Sequence, residues 1–163
     1  MTSLRIRTAH AHDRDLLAHW AVAMALETEH KQLDEATVRA GVEAGIADPA
    51  KARYFIAMHE SRVAGRETIA APAGTLMLTR EWSDWRNGDW WWIQSVYVPP
   101  QFRRMGVFTA LYRHAERLAR DTPGVVGLRL YVERENTSAQ KTYEALGMVD
   151  AGYSILEAEF ETP

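Results

Sequence analysis

The sequence predicts an α/β fold in which a central mixed sheet is flanked by helices. Segments with the two-residue period of strands alternate along the chain with segments that repeat every three or four residues, as helices do. One run, residues 90–98, is apolar on both faces, which is typical of a strand in the middle of a sheet. A helix pattern separates this run from the next strand, so we expect the two strands to be parallel and joined by a right-handed crossover.

The first half of the chain has the predicted order βααββ. Leu4 and Ile6 alternate with arginines in a strand pattern, and Asp34 is a suitable N-cap for the second helix. Residues 66–74 show no strong period and are interpreted as a loop insertion. The predicted elements are a strand at residues 4–7, helices over 15–27 and from 34 to the stop at Asp48-Pro49, and strands at 54–58 and 75–79.

The second half continues as β-α-β-α-β. In the tryptophan-rich strand, alternation places Trp90 and Trp92 on one face, where they would fill the core. Trp91, Ile93 and Tyr97 are expected on the other face. The predicted elements are strands at 90–98, 126–132 and 152–160, a helix from 107 to the stop at Pro123-Gly124, and a helix that opens with the capping box Thr137-Ser138-Ala139-Gln140 and stops at Gly147. The full order is βααβββαβαβ, in a single domain of residues 1–163.

The composition excludes several classes of protein. None of the 163 residues is a cysteine, which eliminates disulfides, thiolate metal sites and a cysteine nucleophile. No apolar run approaches the roughly 20 residues that cross a bilayer, and the first residues lack a signal-peptide pattern, so we expect a cytoplasmic protein with no membrane partner. The formal net charge of −3 comes without a basic block, which argues against nucleic acid. The histidines show no ligand spacing, so no metal is expected.

The segment around Gly106 is typical of an anion site. A central strand ends at Val98, a short loop contains Gly106, and a helix follows directly. The first amides of a helix have no intrahelical acceptor and carry the positive end of the macrodipole, so they can bind a pyrophosphate. A glycine there lets the backbone approach the ligand closely. The pattern alone leaves open that Gly106 is only a turn glycine before an amphipathic helix.

Two motifs together resemble the GNAT superfamily of N-acetyltransferases. Arg103-Arg104-Met105-Gly106-Val107-Phe108 resembles the family's pyrophosphate loop at Arg103 and Gly106, and it departs from that loop at Phe108, usually Gly or Ala, and at Arg104, often Gly. Downstream, Asn136, Ala139, Tyr143 and Gly147-Met148 resemble the Asn-x-x-Ala-x-x-x-Tyr-x-x-x-Gly-Phe/Met signature of the fourth helix. The motifs occur in the family's order, and the resemblance covers nearly the whole chain.

The resemblance implies an enzyme that transfers the acetyl group of acetyl-CoA to a primary amine by direct attack in a ternary complex. The acceptor could be a small molecule, a protein N-terminus or a lysine. The backbone amide of Val98 would stabilise the developing oxyanion. The implied cofactor-binding residues are Val96, Tyr97, Val98, Arg103, Arg104, Met105, Gly106, Val107, Phe108, Thr109, Asn136 and Tyr143.

Candidate catalytic residues follow from the same resemblance. Tyr143 would lie by the thioester sulfur, and a phenol of pKa about 10 suits a proton donor to a thiolate leaving group of pKa about 8.5. The central strand offers no carboxylate, so the base is sought in Glu27 or Glu81, with a water-mediated route equally open. Substrate-binding residues are expected among three further side chains, Trp82, Trp85 and Gln94, the tryptophans forming a possible wall for the acceptor.

Other interpretations of the sequence stay open. The chain could be a non-catalytic acetyl-CoA sensor or a subunit of a complex, because it lacks a carboxylate on the central strand and carries Phe108 in the loop. The tryptophan-rich segment could instead bind carbohydrate or protein, or be buried in a homodimer.

Overall fold

A computed structural model describes residues 2–61 and 69–160, and the chain forms two compact units, Met1–Leu130 and Tyr131–Pro163. The first unit contains strands β1 (Thr2–Thr8), β2 (Arg53–Ser61), β3 (Ile69–Ser83), β4 (Gly88–Tyr97) and β5 (Val125–Leu130), and helices α1 (Arg14–Glu29), α2 (Glu35–Ala47) and α3 (Val107–Arg120). The second unit contains helix α4 (Thr137–Ala145). Within these residues no helix is long and apolar enough to span a bilayer.

The first unit is built on one mixed sheet with the strand order β1-β2-β3-β4-β5. The first three pairings are antiparallel, and β4 and β5 are parallel. Since α3 connects these two parallel strands, the predicted strand–helix–strand unit is confirmed. The predicted α/β class with a central mixed sheet is confirmed as well, and β4 lies inside the sheet as its apolar faces require.

The prediction of a loop over residues 66–74 is wrong for the part that the structure describes, since β3 begins at Ile69. Residues 66–68 of that prediction lie outside the described residues. A β-bulge explains how Pro72 and Gly74 fit in a strand: Pro72 pairs with Met58 and Gly74 with Ala57, so Ala73 is the extra residue. At its other end β3 runs to Ser83, beyond the predicted strand end at residue 79, and forms a hairpin with β4.

A second bulge lies in β4 at Gln94. Met77 of β3 pairs with Ser95, but the next residue, Leu78, pairs with Ile93, which leaves Gln94 as the extra residue. Because side chains alternate along a strand, one extra residue moves everything beyond it to the opposite face. The expectation that Trp91, Ile93 and Tyr97 share a face is therefore wrong.

The packing on the two faces shows this reversal directly. Trp91 is only 3% exposed and lies under Arg53, which also covers the ring of Phe55. Phe55 contacts His114 of α3, so this is the α3 face. Tyr97 instead packs against Trp20 of α1. Trp90 and Trp92, on the face opposite Trp91, are only partly buried, and Trp91 is the core residue, contrary to prediction.

Two helices cover the face that carries Tyr97. A hydrophobic cluster joins α1, α2 and the sheet; it consists of Ala9, Leu17, Ala18, Trp20, Val42, Ile56, Met58 and Tyr97. The start of α2 is fixed by Asp34, whose carboxylate accepts a hydrogen bond from the Thr37 amide at 2.7 Å, as the N-cap prediction expects. On the other face α3 buries Val107, Leu111 and Ala115. The sheet is thus covered on both sides.

The second unit differs from prediction at the start of its helix. Asn136, not Thr137, is the N-cap of α4, and its Oδ1 accepts from the Ala139 amide at 3.0 Å. Gln140 bonds the Glu133 and Arg134 carbonyls instead of closing a capping box. Gly147 has φ 90° and ends the helix as predicted.

The strand predicted over residues 152–160 does not form. These residues have no regular structure, and the apolar side chains of Tyr153, Ile155, Leu156 and Phe160 are exposed. A strand is stable only when a neighbouring strand satisfies its amides and carbonyls, and the described residues of the second unit contain no strand to pair with. The sequence pattern of residues 152–160 is therefore not enough to form a strand without a pairing partner.

Candidate active site

The loop between β4 and α3 has a backbone shaped for close approach. After a short helical turn, Pro100–Phe102, the chain takes left-handed conformations at Arg104 (φ 64°) and at Gly106 (φ 78°) before α3 begins. Left-handed backbone favours glycine, so Gly106 suits its position and Arg104 is strained. The GNAT loop that this segment resembles often has glycine at the position of Arg104. The left-handed φ at this residue explains why glycine is preferred there.

The start of α3 presents backbone amides. The first helical hydrogen bond runs from the Ala110 amide to the Gly106 carbonyl at 3.0 Å, so the amides before Ala110 belong to the turn without intrahelical acceptors. Arg104, Met105 and Thr109 are exposed around this turn. Phe108 packs along α3, its ring centroid 6.2 Å from that of Tyr112. These amides and the positive end of the helix dipole make a site for a phosphate group.

A close contact between β3 and the start of α3 holds this turn against the sheet. A Cβ atom on Gly74 would lie 2.9 Å from the Val107 side chain and 3.0 Å from the Tyr97 carbonyl oxygen. Only glycine leaves room for these neighbours. Gly74 therefore fixes the helix start beside the end of β4.

Glu27 joins α1 to the same end of β4. Its Oε1 accepts a hydrogen bond from the Tyr97 hydroxyl at 2.8 Å, and its Oε2 pairs with the Arg103 guanidinium. Arg103 also donates from Nε to the Val98 carbonyl at 2.9 Å. The network thus links the predicted base Glu27 to two predicted cofactor-binding residues. Sequence reasoning identified all three residues but not their mutual contacts, because 70 residues separate Glu27 from Tyr97.

The electrostatics of this network keep Glu27 ionised. Hydrogen bonds from Arg103 and then from Tyr97 lower the pKa of the Glu27 carboxyl below its usual value of 4.5. Burial first, and then the neighbouring carboxylate, raise the pKa of the Tyr97 phenol. Glu27 is therefore an anion and Tyr97 a neutral donor at neutral pH. Such a carboxylate is a weak proton acceptor and a good partner for a cation.

The far half of β4 has an open edge. Pairing with β5 stops at Ile93–Leu130, and β4 continues to Tyr97 paired with β3 alone among the described strands. Backbone groups along this edge can receive an extended ligand that carries amides, in the manner of an added strand. The open edge leads towards the loop that precedes α3.

Comparison with known proteins identifies this arrangement. The acetyltransferase (GNAT) family model matches residues 15–148. The chain belongs to the GNAT family of acetyltransferases. The crystal structure of a possible acetyltransferase from Clostridium difficile 630 is similar, with 37% identity, a TM-score of 0.85, and coverage of 98% of this chain and 99% of that one.

Two further relatives widen the comparison. An aminoglycoside N-acetyltransferase in complex with CoA shares the fold, with 18% identity, a TM-score of 0.72 and coverage of 98% and 96% of the two chains. The thialysine N-epsilon-acetyltransferase of Caenorhabditis elegans is 34% identical over 79 residues, which are 48% of each chain. The match thus spans about half the length of this curated relative.

The GNAT fold does not bring three of the predicted site residues to Glu27. Glu81 pairs with Trp90 and Trp82 with Asp89, while Thr75 pairs with Tyr97, so Glu81 lies about 20 Å along β3 from the Tyr97 end. Trp82 and Trp85 belong to the hairpin at that distant end and are 63% and 85% exposed. Glu81, Trp82 and Trp85 therefore do not lie beside Glu27, and their roles as base and acceptor wall stay predictions.

Glu81 has a structural partner where it lies. It accepts from the Trp92 indole at 2.5 Å and from Arg129 at 2.8 Å, and Arg129 lies over the Trp90 ring at 4.2 Å. This cluster ties β3, β4 and β5 together. The polar sequence of the hairpin gave no signal of it.

The remaining predicted residues lie in two places. Gln94 is exposed in the β4 bulge, where its Oε1 accepts from the Thr79 hydroxyl at 3.3 Å. Asn136 and Tyr143 belong to the second unit, Asn136 as the N-cap of α4 and Tyr143 on the helix itself. Burial raises the pKa of the Tyr143 phenol, which keeps it protonated as a proton donor must be.

Proposed function

We propose that this protein is an acetyl-CoA-dependent N-acetyltransferase that acts on a cationic primary amine by direct transfer. One observation carries the proposal: an amide-lined helix start with left-handed Gly106 follows the end of β4, and the Glu27 carboxylate bonds Tyr97 and Arg103 at that same end. The first feature fits a pyrophosphate and the second fits an ammonium group. A transferase that joins these two reactants needs both features at one place.

Acetyl-CoA would be held by backbone in two stretches. The amides of residues 104–109 would bind the pyrophosphate, and the open edge of β4 at Val96, Tyr97 and Val98 would bond the amide-containing arm. Arg103 would act indirectly, because its guanidinium already bonds Glu27 and the Val98 carbonyl. Bound acetyl-CoA supplies the thioester carbonyl that the amine attacks.

Glu27 would recognise the acceptor. Each carboxylate oxygen that accepts from Tyr97 or Arg103 keeps a further lone pair for an ammonium N–H. The lowered pKa of Glu27 makes it a better ion partner than a base, so the ammonium proton would leave to water. Glu27 thus concentrates and orients the amine.

The transfer step needs two more groups. The N–C bond forms as the thioester C–S bond breaks, and the Val98 amide would stabilise negative charge on the carbonyl oxygen. By the family resemblance, Tyr143 would donate the proton that the leaving thiolate takes up, and the proton that the acylated nitrogen loses would return Tyr143 to its phenol form. With no cysteine in the chain, no cysteinyl acyl-enzyme can form, which favours direct attack.

The test is acetyl-CoA-dependent acetylation of an amine panel that includes thialysine, an aminoglycoside, a diamine and a peptide with a free N-terminus. Gly106→Ala should weaken acetyl-CoA binding about tenfold, because Cβ strains the turn that presents the amides. Gly124→Ala is the matched control: Gly124 is equally left-handed (φ 81°) with open space for a Cβ, but follows the other end of α3. Binding of acetyl-CoA with no transfer to any amine would indicate the sensor function instead.

A further inference from the structure

A second cavity lies at the other end of the sheet from Gly106. Its volume is about 340 Å³. Its lining residues include Arg53, Arg80, Asp89, Trp91, Thr122 and Pro123. Thr122 and Pro123 follow the C-terminus of α3, and a helix of this length separates its two ends by about 20 Å. The cavity therefore cannot be part of the pyrophosphate site.

Strand register places the two arginines of this cavity on one face of the sheet. Arg53 pairs with Leu78, and Arg80 lies two residues further along β3, directly opposite Trp91. Residues two apart on a strand share a face, so both guanidinium stems rise beside the buried Trp91 ring. Arg53 is 4.9 Å from the centre of that ring.

Positive charge in the cavity exceeds negative charge. Asp89 is the single acidic lining residue, and its carboxylate is 3.8 Å from Arg80. Arg53 pairs with no carboxylate anywhere in the part of the chain that the structure describes. Removing a guanidinium from water without a counterion is unfavourable, and the aromatic contacts of Arg53 offset only part of that cost.

Two titratable groups near the cavity, Arg53 and His114, have lowered pKa values. Burial and then the charge of Arg80 lower the pKa of Arg53. Burial, Arg117 and Arg53, in that order, lower the pKa of His114 on the helix above. Burial is the larger cause for both groups, and the neighbouring cations add to it in the same direction.

We propose that this cavity binds a small oxyanion, a phosphate or carboxylate group held between Arg53 and Arg80 above the Trp91 ring. Guanidinium groups present paired N–H donors that match the oxygens of such anions. The cavity is at the small end of the range of about 300–1,000 Å³ for ligand pockets, so it suits a compact ligand. This site is independent of the proposed transferase function.

The test measures binding of inorganic phosphate and of succinate by calorimetry, without acetyl-CoA and at constant ionic strength held with potassium chloride. Arg53→Met keeps an apolar stem against Trp91 and removes the charge, and we expect affinity for the bound anion to fall about ten- to hundredfold. Arg80→Gln, at a more exposed position, should have the same effect and is the alternative if Arg53→Met does not fold.

Arg86→Gln is the matched control. Arg86 also lies over a tryptophan ring, Trp90, at 5.2 Å, but is no part of the cavity, so anion affinity should be unchanged. Whichever of phosphate and succinate binds identifies the preferred group. Failure of both anions to bind, or equal affinity in wild type, Arg53→Met and Arg80→Gln, would overturn the proposal. Loss of affinity in Gly106→Ala but not in the arginine variants would place the anion at the α3 start and would also contradict it.

Discussion

At the scale of the residue, the proposed function assigns acceptor binding to Glu27. Glu27→Gln keeps the size and the Tyr97 contact but removes the charge, so KM for the amine should rise about ten- to hundredfold. Acetyl-CoA affinity should stay the same. Steady-state kinetics with both substrates measures this, and Glu29→Gln is the control because Glu29 pairs with Lys31 at the end of the same helix.

The pH profile separates a binding carboxylate from a general base. If Glu27 were the base, Glu27→Gln would lower kcat and abolish the acidic limb of its pH profile. An ion partner gives a raised KM with the shape of the kcat profile retained, which is the result we expect. A kcat profile flattened in Glu27→Gln would therefore assign the base to Glu27.

Folding stability should also depend on Glu27 ionisation. The pKa of Glu27 is lower in the folded protein than its usual 4.5, because of Arg103 and Tyr97. The stabilisation is fully present above the usual pKa and is lost as pH falls through the folded value. The difference in Tm between wild type and Glu27→Gln should thus be constant near neutrality and shrink in acid. A difference that grows in acid would contradict this sign.

Arg104 provides a test of backbone strain in the loop. Its φ of 64° costs an L-residue about 1–2 kcal/mol, and a β-branched side chain more. Arg104→Gly should be neutral or slightly stabilising, whereas Arg104→Val should lower the free energy of unfolding by about 1 kcal/mol or more. Urea denaturation of both variants measures the difference, and equal stabilities would mean that the turn is not left-handed at this residue.

At the scale of the element, the bulge in β4 decides which residues meet. Deleting Gln94 removes only the extra residue, so Ser95 can still pair with Met77 and Tyr97 with Thr75, and Tyr97 should keep its face and its contacts with Trp20 and Glu27. Gln94→Ala keeps the residue count and should leave stability within about 0.5 kcal/mol. Thermal unfolding measures both variants, and a loss of about 2 kcal/mol or more on deletion would show that Tyr97 has left the Trp20 face.

Elements with a strong local signal could be predicted from the sequence, and the bulges could not. Asp34 caps α2 and Gly147 ends α4 as their residue types predict. At Gln94 the alternation of side chains between the two faces of β4 is interrupted. Nothing about a glutamine between Ile93 and Ser95 indicates a bulge. The strand at residues 69–74 was missed for the same reason, because its proline and glycine are typical of loops but here lie in a bulged strand.

The local parts of the candidate site could be predicted from the sequence, and the contacts that depend on tertiary pairing could not. Local chemistry around Gly106 indicated an anion site, and the loop has the left-handed backbone that such a site uses. Glu27 and Glu81 were both candidates in the sequence, because the family resemblance places the end of the first helix and the segment before the central strand at the acceptor groove. The order of strands and their register separate them, and these are properties of tertiary pairing that a single sequence does not specify.

At the scale of the whole molecule, the sheet carries different chemistry at its two ends. One end of β4 has the α3 amides, Tyr97 and Glu27, and the other has the cavity of Arg53 and Arg80. The same strand therefore connects the proposed transferase site and the proposed oxyanion site. Because the two sites do not overlap, acetyl-CoA and the oxyanion should each bind and dissociate while the other is bound.

The central claim is that acetyl-CoA binds at the start of α3 and along the open edge of β4. An amide-detected NMR titration of the ¹⁵N-labelled protein with CoA locates the ligand residue by residue. We expect the largest shift changes in residues 96–98 and 104–109, and no change in the amide signals of Arg53 and Arg80. Changes concentrated at the Arg53 cavity, or no saturable change at residues 104–109, would contradict it.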